Sequence, residues 1–139
     1  MRVEHSIEID APAQRVWNIT LDVESWPHHT PTIESIERLD AGPLTIGSRA
    51  RVKQPGQGAK VWTVSQLDPE KRFAWWTKTL GTTMTGIHLV DGSDAGTTST
   101  LAIEIDGPLA PIVGAVVRRP VLAAITRENQ GIKQAAEAN

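Results

Sequence analysis

The chain has 139 residues, of which 40% are hydrophobic and 22% are charged, and its 14 basic and 16 acidic residues give a net charge of −2. This composition fits one globular domain and excludes a disordered or coiled-coil chain. The absence of cysteine excludes disulfides, thiolate metal sites and cysteine nucleophiles. Because no basic stripe stands out, nucleic acid is not an expected partner.

The N-terminal segment predicts a strand that leads into two short helices. Residues 3–10 alternate between apolar and polar side chains, which is typical of a half-buried strand. Pro12 suits the first turn of a helix, and the apolar residues that follow lie at helical spacing. Asp22 is positioned to cap a second short helix, which Pro27 should end.

The central segment predicts an antiparallel meander. Extended stretches recur at intervals of about eight to twelve residues, separated by glycine- and proline-rich turns. The predicted strands cover residues 32–39, 49–54, 59–67, 73–79, 82–90 and 97–105. A glycine-aspartate turn is predicted at residues 91–96.

The C-terminal segment predicts one long helix. Its apolar residues follow a helical period from Leu109 to Ile132, and Pro120 inside it predicts a kink near residues 116–119. The longest apolar run, residues 112–117, is too short to span a bilayer. Since Met1 leads directly into a strand pattern without a signal-type segment, we expect a cytoplasmic location and no integral membrane association.

This order of elements predicts an α+β fold with an internal hollow. A long helix with one apolar stripe must lie against the sheet. A strongly bent seven-stranded sheet around such a helix need not close at both ends. The space left between them can be a cavity of ligand size.

A series of short motifs extends over nearly all of the chain. In chain order they are Ile9-x-Ala11-Pro12-x-x-x-Val16-Trp17, Asp22-x-x-x-Trp26-Pro27, Gly47-Ser48, Trp62-x-Val64, Leu67-Asp68-Pro69 with Phe73-x-Trp75, His88 before a turn, Gly96-Thr97 and Gly131-Ile132-Lys133. Together they resemble the START-like, Bet v 1-type superfamily, in its polyketide cyclase/dehydrase or SRPBCC branch. The resemblance implies a helix-grip fold, with residues 1–139 as a single domain. It leaves activity open, because that family includes cyclases, lipid carriers and hormone receptors.

The chain departs from the family pattern in two places. Where relatives often repeat Trp-Pro-x-Trp, this sequence has Trp26-Pro27-His28-His29. Pro111 and Pro120 also interrupt the last helix more than the resemblance implies. Both changes fall at the expected rim of the cavity, where they would alter its access or polarity.

Two of the five tryptophans are candidates for the cavity wall. Trp62 and Trp75 lie on apolar alternation faces of their strands, and if those faces point inward both indoles can stack on a flat apolar ligand. Ordinary core packing is the alternative interpretation. Trp17 and Trp26 are expected to pack the helices on the sheet.

The basic residues of the 49–54 strand allow two interpretations. Either Arg49, Arg51 and Lys53 face solvent, or one arginine enters the cavity, where it needs a ligand carboxylate, a phenolate or an internal acid. Arg51 is the candidate in the second case. His88 is a candidate pocket acid or base, or else a satisfied core histidine.

These patterns predict ligand binding more directly than catalysis. The predicted lining residues are Trp62, Trp75, Thr77, His88, Arg51, Ser99, Leu101, Val113 and Val117. We expect a small hydrophobic or aromatic ligand, of polyketide or lipid-like type, bound by a monomer or homodimer without metal or cofactor. One alternative is a polyketide cyclase/dehydrase-type enzyme in which His88 or Arg51 moves protons. Another is a non-enzymatic interaction or stress-related module.

Overall fold

The computed structural model describes residues 1–93 and 95–138, and its described part contains seven strands, two α-helices and a 3₁₀ helix. In chain order these are β1 (Arg2–Ile9), α1 (Ala13–Leu21), the 3₁₀ helix (Val23–His28), β2 (Ser35–Arg38), β3 (Arg49–Lys53), β4 (Lys60–Asp68), β5 (Arg72–Thr79), β6 (Thr82–Ser93), β7 (Gly96–Asp106) and α2 (Ala110–Glu137). The predicted element order is confirmed.

The strands form one curved antiparallel sheet in the order β1-β7-β6-β5-β4-β3-β2, so the helix-grip prediction is confirmed. Two strand boundaries differ from the prediction by more than one residue. β2 is shorter than residues 32–39, and the β6–β7 hairpin pairs as far as Ser93 and Gly96, well into the predicted 91–96 turn. Asp94, in that turn, lies outside the described residues.

The two short helices follow β1 as predicted, but Asp22 acts differently from the prediction. α1 buries Val16, Trp17 and Thr20, which lie at helical spacing on one face. Asp22 precedes the 3₁₀ helix, and its carboxylate accepts a hydrogen bond of 2.7 Å from the Ser25 hydroxyl instead of capping a backbone N–H.

The long helix α2 lies on the inner face of the sheet and contacts β1, β7 and α1. Pro111 falls in its first turn, where the missing N–H has no intrahelical partner to lose, so it does not interrupt the helix as the sequence suggested. α2 continues through Pro120 to Glu137, and the kink at 116–119 stays a prediction. Within residues 1–93 and 95–138, no helix combines the length and hydropathy needed to cross a bilayer.

The second half of α2 is fixed to its neighbours by polar contacts. Asn129 is completely buried; its Nδ2 donates to the carbonyls of Ser99 (2.9 Å) and His5 (3.2 Å), and its Oδ1 accepts from the Ser99 hydroxyl (2.8 Å). At Gly131 a Cβ would overlap the backbone carbonyl of His29, so only glycine permits this close crossing. The Arg15 guanidinium donates to carbonyls in the last turn of the helix. This end of α2 therefore has a fixed position on the sheet.

Candidate functional site

An open cavity of about 500 Å³ lies between the sheet and the part of α2 that precedes these contacts. Its apolar lining comprises Trp26, Ile33, Val52, Trp62, Trp75, Met84, Leu101, Ile103, Val117, Val121 and Ile125. Its polar lining includes Gln54, Gln57, Lys60, His88 and Glu128. The volume lies within the range of small-molecule sites, and the mixture of many apolar and few polar groups is typical of them.

Two indoles from neighbouring strands form one wall of the cavity. The rings of Trp62 on β4 and Trp75 on β5 lie 5.7 Å apart, and both side chains are buried. Trp75 is paired with Gly86 on β6, where a Cβ would lie 3.3 Å from the Trp75 ring and 3.6 Å from Trp62. The absence of a side chain at Gly86 therefore leaves room for both rings.

A third indole, Trp26 of the 3₁₀ helix, both packs against the sheet and lines the cavity. Its Nε1 donates to the Thr20 carbonyl (3.1 Å), and its ring lies edge-on to Trp75 at 5.3 Å. The sequence predicted only the packing role. Trp17 is buried against the sheet, as expected, and does not line the cavity.

His88 lies next to this aromatic wall, with its ring 5.0 Å from that of Trp26. On β6 it is paired with Phe73 of β5 and Leu101 of β7, and its ring stacks on Phe73 at 5.5 Å and 18°. Its Nδ1 is buried and has no hydrogen-bond partner among the described residues. Burial lowers the pKa of His88 to about 4. The imidazole is therefore neutral at pH 7.

Glu128 of α2 brings a carboxyl group into the same cavity. The side chain is half-buried, and its Oε1 accepts a hydrogen bond of 3.0 Å from the Thr32 hydroxyl. Burial raises the pKa of Glu128 to about 7, although the Thr32 hydrogen bond opposes the shift. Glu128 and His88 also line a smaller adjoining pocket with Trp26 and His29. The two titratable groups therefore share one region of the cavity.

Glu128 was not among the predicted site residues, although the sequence contains a signal for it. Val121, Ile125 and Ile132 form part of the apolar stripe of α2, and Glu128 falls in that stripe at i+3 from Ile125. A carboxylate within an apolar helix face is uncommon unless it has a partner or a function. No local motif surrounds it.

The structure brings most of the predicted site residues together but not all of them. Those that line the cavity are Trp62, Trp75, His88, Leu101 and Val117. Thr77, Ser99 and Val113 do not. The Thr77 hydroxyl donates to the Val61 carbonyl (2.8 Å) and that of Ser99 to Asn129, so both hydroxyls are already occupied within the fold.

The placement of Arg51 in the cavity is wrong. Its side chain is exposed on the outer face of β3, where Nη1 lies 2.6 Å from Glu37 Oε1. Ala50 and Val52 are the residues of this strand that point inward and are buried. Arg51 therefore faces solvent, which was the first of the two interpretations of this basic strand. The reason is that a guanidinium loses less hydration energy beside an exposed carboxylate than in an apolar cavity.

The described residues contain no group of three His, Asp or Glu side chains placed to hold a metal ion. The adjacent His28 and His29 therefore have no third ligand near them in the described part of the chain.

The sequence and the fold are similar to those of known proteins. The sequence profile of a family described as "Polyketide cyclase / dehydrase and lipid transport" matches residues 1–137. The crystal structure of the di-domain ARO/CYC BexL from the BE-7585A biosynthetic pathway is 26% identical, with a TM-score of 0.75 over 99% of this chain and 46% of BexL. The chain thus spans about half the length of that protein.

Two further structures match over nearly their full length. A protein from Thermus thermophilus is 17% identical, with a TM-score of 0.77 over 98% of this chain and 97% of that one. A START superfamily protein from Mycobacterium smegmatis is 16% identical, with a TM-score of 0.73 over 96% and 97% of the two chains. These two likenesses show the fold. The comparison with curated proteins finds no match.

Proposed function

The chain belongs to the polyketide cyclase/dehydrase and lipid transport family, and we propose that it binds a small, flat apolar or aromatic molecule in the cavity beneath α2. The observation that carries this proposal is the wall of three indoles around a cavity of about 500 Å³. Indoles offer large flat surfaces on which aromatic molecules stack. The family description is consistent with such a ligand. The cytoplasmic location and the monomeric or dimeric state stay predictions.

Intrinsic tryptophan fluorescence tests this proposal, because the indoles of the wall report directly on an occupant. We expect saturable changes when the protein is titrated with planar compounds such as naphthalene derivatives. Trp62→Leu should weaken binding by about tenfold or more, since it removes one of the three indoles that line the cavity. Trp76→Leu is the matched control, because Trp76 alternates with Trp75 and faces away from the cavity. Absence of a saturable response to every compound would contradict the proposal.

A second candidate function is cyclisation or dehydration of a polyketide-like chain, favoured by the presence of His88 and Glu128 in the lining of the same cavity. A neutral imidazole or an ionised carboxylate can take a proton from a carbon between two carbonyl groups. The resulting enolate carbon then attacks a further carbonyl carbon, and a protonated carboxyl returns a proton to the new alkoxide. Loss of water leaves the ring unsaturated.

Product formation from a soluble poly-β-keto ester distinguishes this candidate from simple binding. We expect an aromatic absorbance band to appear with the wild-type protein and to form at least tenfold more slowly with His88→Phe or Glu128→Gln. Equal rates in both variants would exclude these residues from the chemistry. The third alternative, a non-enzymatic interaction module, would be favoured by a packed interior, whereas a cavity of about 500 Å³ lies beneath α2.

A further inference from the structure

We propose that the cavity selects aromatic ligands that carry a protonated amine, with Glu128 as the counter-charge. The inference rests on the proposed function and narrows it to a chemical class. The observation behind it is that the Glu128 carboxyl group lies in a cavity lined by indoles and forms no ion pair with a basic side chain of the described residues.

The charges that line the cavity leave Glu128 without a cation. Its hydrogen bond comes from the neutral Thr32 hydroxyl, and no lysine or arginine of the described residues forms an ion pair with it. Lys60 lines the cavity too, but its Nζ contacts Gln57 Oε1 at 2.6 Å. A desolvated carboxylate is unfavourable until a positive group approaches it. A ligand ammonium would supply that group.

The remaining titratable neighbours do not provide the missing charge at pH 8. His88 is neutral there because burial lowers its pKa to about 4. His29 lines the adjoining pocket with Glu128 and is half-buried, and among the described residues no ion pair joins the two side chains. Glu128, with its pKa raised to about 7, is mostly ionised. Glu128 therefore supplies a negative charge to this end of the cavity at pH 8.

The aromatic wall favours the same ligand class. Trp26 lies beside both His88 and Trp75, so indoles border the region that Glu128 faces. The indole ring is the side chain that attracts organic cations best, through its negative π faces. A neutral carbonyl ligand could accept a hydrogen bond from a protonated Glu128 but would form no ion pair with the ionised carboxylate. A carboxylate ligand would be repelled by that carboxylate.

Three probes with the same naphthalene ring separate these cases: 1-naphthylmethylamine, 1-naphthylmethanol and 1-naphthoate. At pH 8 we expect the wild-type protein to bind the amine at least about tenfold more tightly than the alcohol, and the naphthoate most weakly. Affinities are measured by tryptophan fluorescence and checked by equilibrium dialysis. Equal affinity for amine and alcohol, or tightest binding of naphthoate, would overturn the inference while leaving the proposed cavity binding intact.

Glu128→Gln supplies the decisive variant, because it removes the charge and keeps the shape. The amine should lose about tenfold or more in affinity, while the alcohol changes by less than about twofold. Glu34→Gln, which removes a carboxylate from an exposed ion pair with Lys53, is the charge-matched control and should change neither. Retention of amine affinity in Glu128→Gln would refute the assignment.

The pH dependence of amine binding tests the role of Glu128 independently, in proteins that differ only at the site. Affinity of the wild type for the amine should rise between pH 6 and pH 8 as Glu128 ionises, and Glu128→Gln should show little of that rise. The rise must also persist in His29→Asn, which replaces the imidazole that lines the adjoining pocket with Glu128. A flat wild-type profile, or its loss in His29→Asn, contradicts the inference. If none of the three probes binds, the proposed function fails and this inference fails with it.

Discussion

The two halves of α2 differ in what they contact. Its second half, residues 125–137, buries Ile125, Asn129, Ile132 and Ala136 against the sheet and α1; we call it the anchored half. Its first half, residues 110–124, buries only small residues, and Val117 and Val121 face the cavity; we call it the bridging half. The same helix therefore packs into the core at its C-terminal end and covers the cavity towards its N-terminal end.

The difference arises from how closely each half approaches its neighbours. In the anchored half, Gly131 permits backbone contact with the segment after the 3₁₀ helix, and Asn129 joins α2 to β1 and β7. In the bridging half, Ile112 and Val116 are exposed, at 67% and 73%. Burial of apolar area provides most of the folding free energy. The anchored half should therefore contribute most to stability, whereas binding should depend on the bridging half together with Ile125 and Glu128, which line the cavity at the start of the anchored half.

Gly131→Ala should give the largest effect, because the added Cβ would overlap the His29 backbone carbonyl. Backbone atoms cannot swing aside as a flexible side chain can, so the crossing must open. We expect the free energy of unfolding to fall by about 3 kcal/mol or more, which exceeds the gain of about 1 kcal/mol in helix propensity. Urea denaturation followed by circular dichroism measures the change.

Gly114→Ala is the matched control in the bridging half. Its new Cβ would meet the Met1 side chain, whose sulfur lies 2.6 Å from the Cβ position but is free to move. The same substitution should therefore change the free energy of unfolding by less than about 1 kcal/mol in either direction. If both variants lost the same stability, the distinction between the two halves of α2 would be wrong.

Titration of the cavity groups should give the next largest effect. Glu128 has a pKa raised to about 7 in the folded chain, so its contribution to stability is greatest below about pH 4.5 and is lost as the pH rises to about 7. His88 has a pKa lowered to about 4, so its contribution is present above about pH 6.5 and is lost as the pH falls to about 4. The two contributions oppose each other between about pH 4.5 and 6.5.

Replacing either Glu128 or His88 should leave only the pH dependence of stability that the other group causes. In Glu128→Gln the free energy of unfolding, compared with that of the wild type, should rise with pH between about 4.5 and 7. In His88→Phe the same difference should fall with pH between about 4 and 6.5. Each change should be on the order of 1–3 kcal/mol. Denaturant midpoints measured at half-unit pH steps test both signs, and slopes of the same sign in the two variants would contradict the assignment.

The fold followed from the sequence because its signals are local and agree with one another. Alternation defined the strands, Pro12 marked the start of α1, and the apolar period defined α2. Trp62 and Trp75 were placed on the cavity wall by the same alternation. Thr77 lies between two lining residues of β5, Trp75 and Thr79, but its hydroxyl bonds to the Val61 carbonyl instead of facing the cavity. Ser99 was misplaced because alternation gives the face of a strand but not how far the hollow extends along it. That extent is set by where Gly131 and Asn129 fix α2.

Glu128 and Arg51 show the other limit of sequence reasoning. A charged residue is read from sequence as exposed unless a motif says otherwise, and Glu128 belongs to none. Its burial depends on Thr32, a residue distant in the chain, and on its place at the start of the anchored half, where α2 borders the cavity. Arg51 was considered for the cavity through its chemistry, whereas its strand register with Glu37 pairs it on the outside.

A substitution on the outer face of the sheet should have the smallest effect on stability and binding. It shows how small a change is expected at a site that contacts neither half of α2. Arg51 faces away from both halves of α2, and exposed ion pairs such as its pair with Glu37 contribute about 0–1 kcal/mol. Arg51→Ala should therefore lower the free energy of unfolding by less than about 1 kcal/mol and leave the affinity for naphthalene probes unchanged. A loss of affinity would place the binding site near β3's outer face. It would also remove the reason for assigning binding to the bridging half, because that half contacts only the inner side of the sheet.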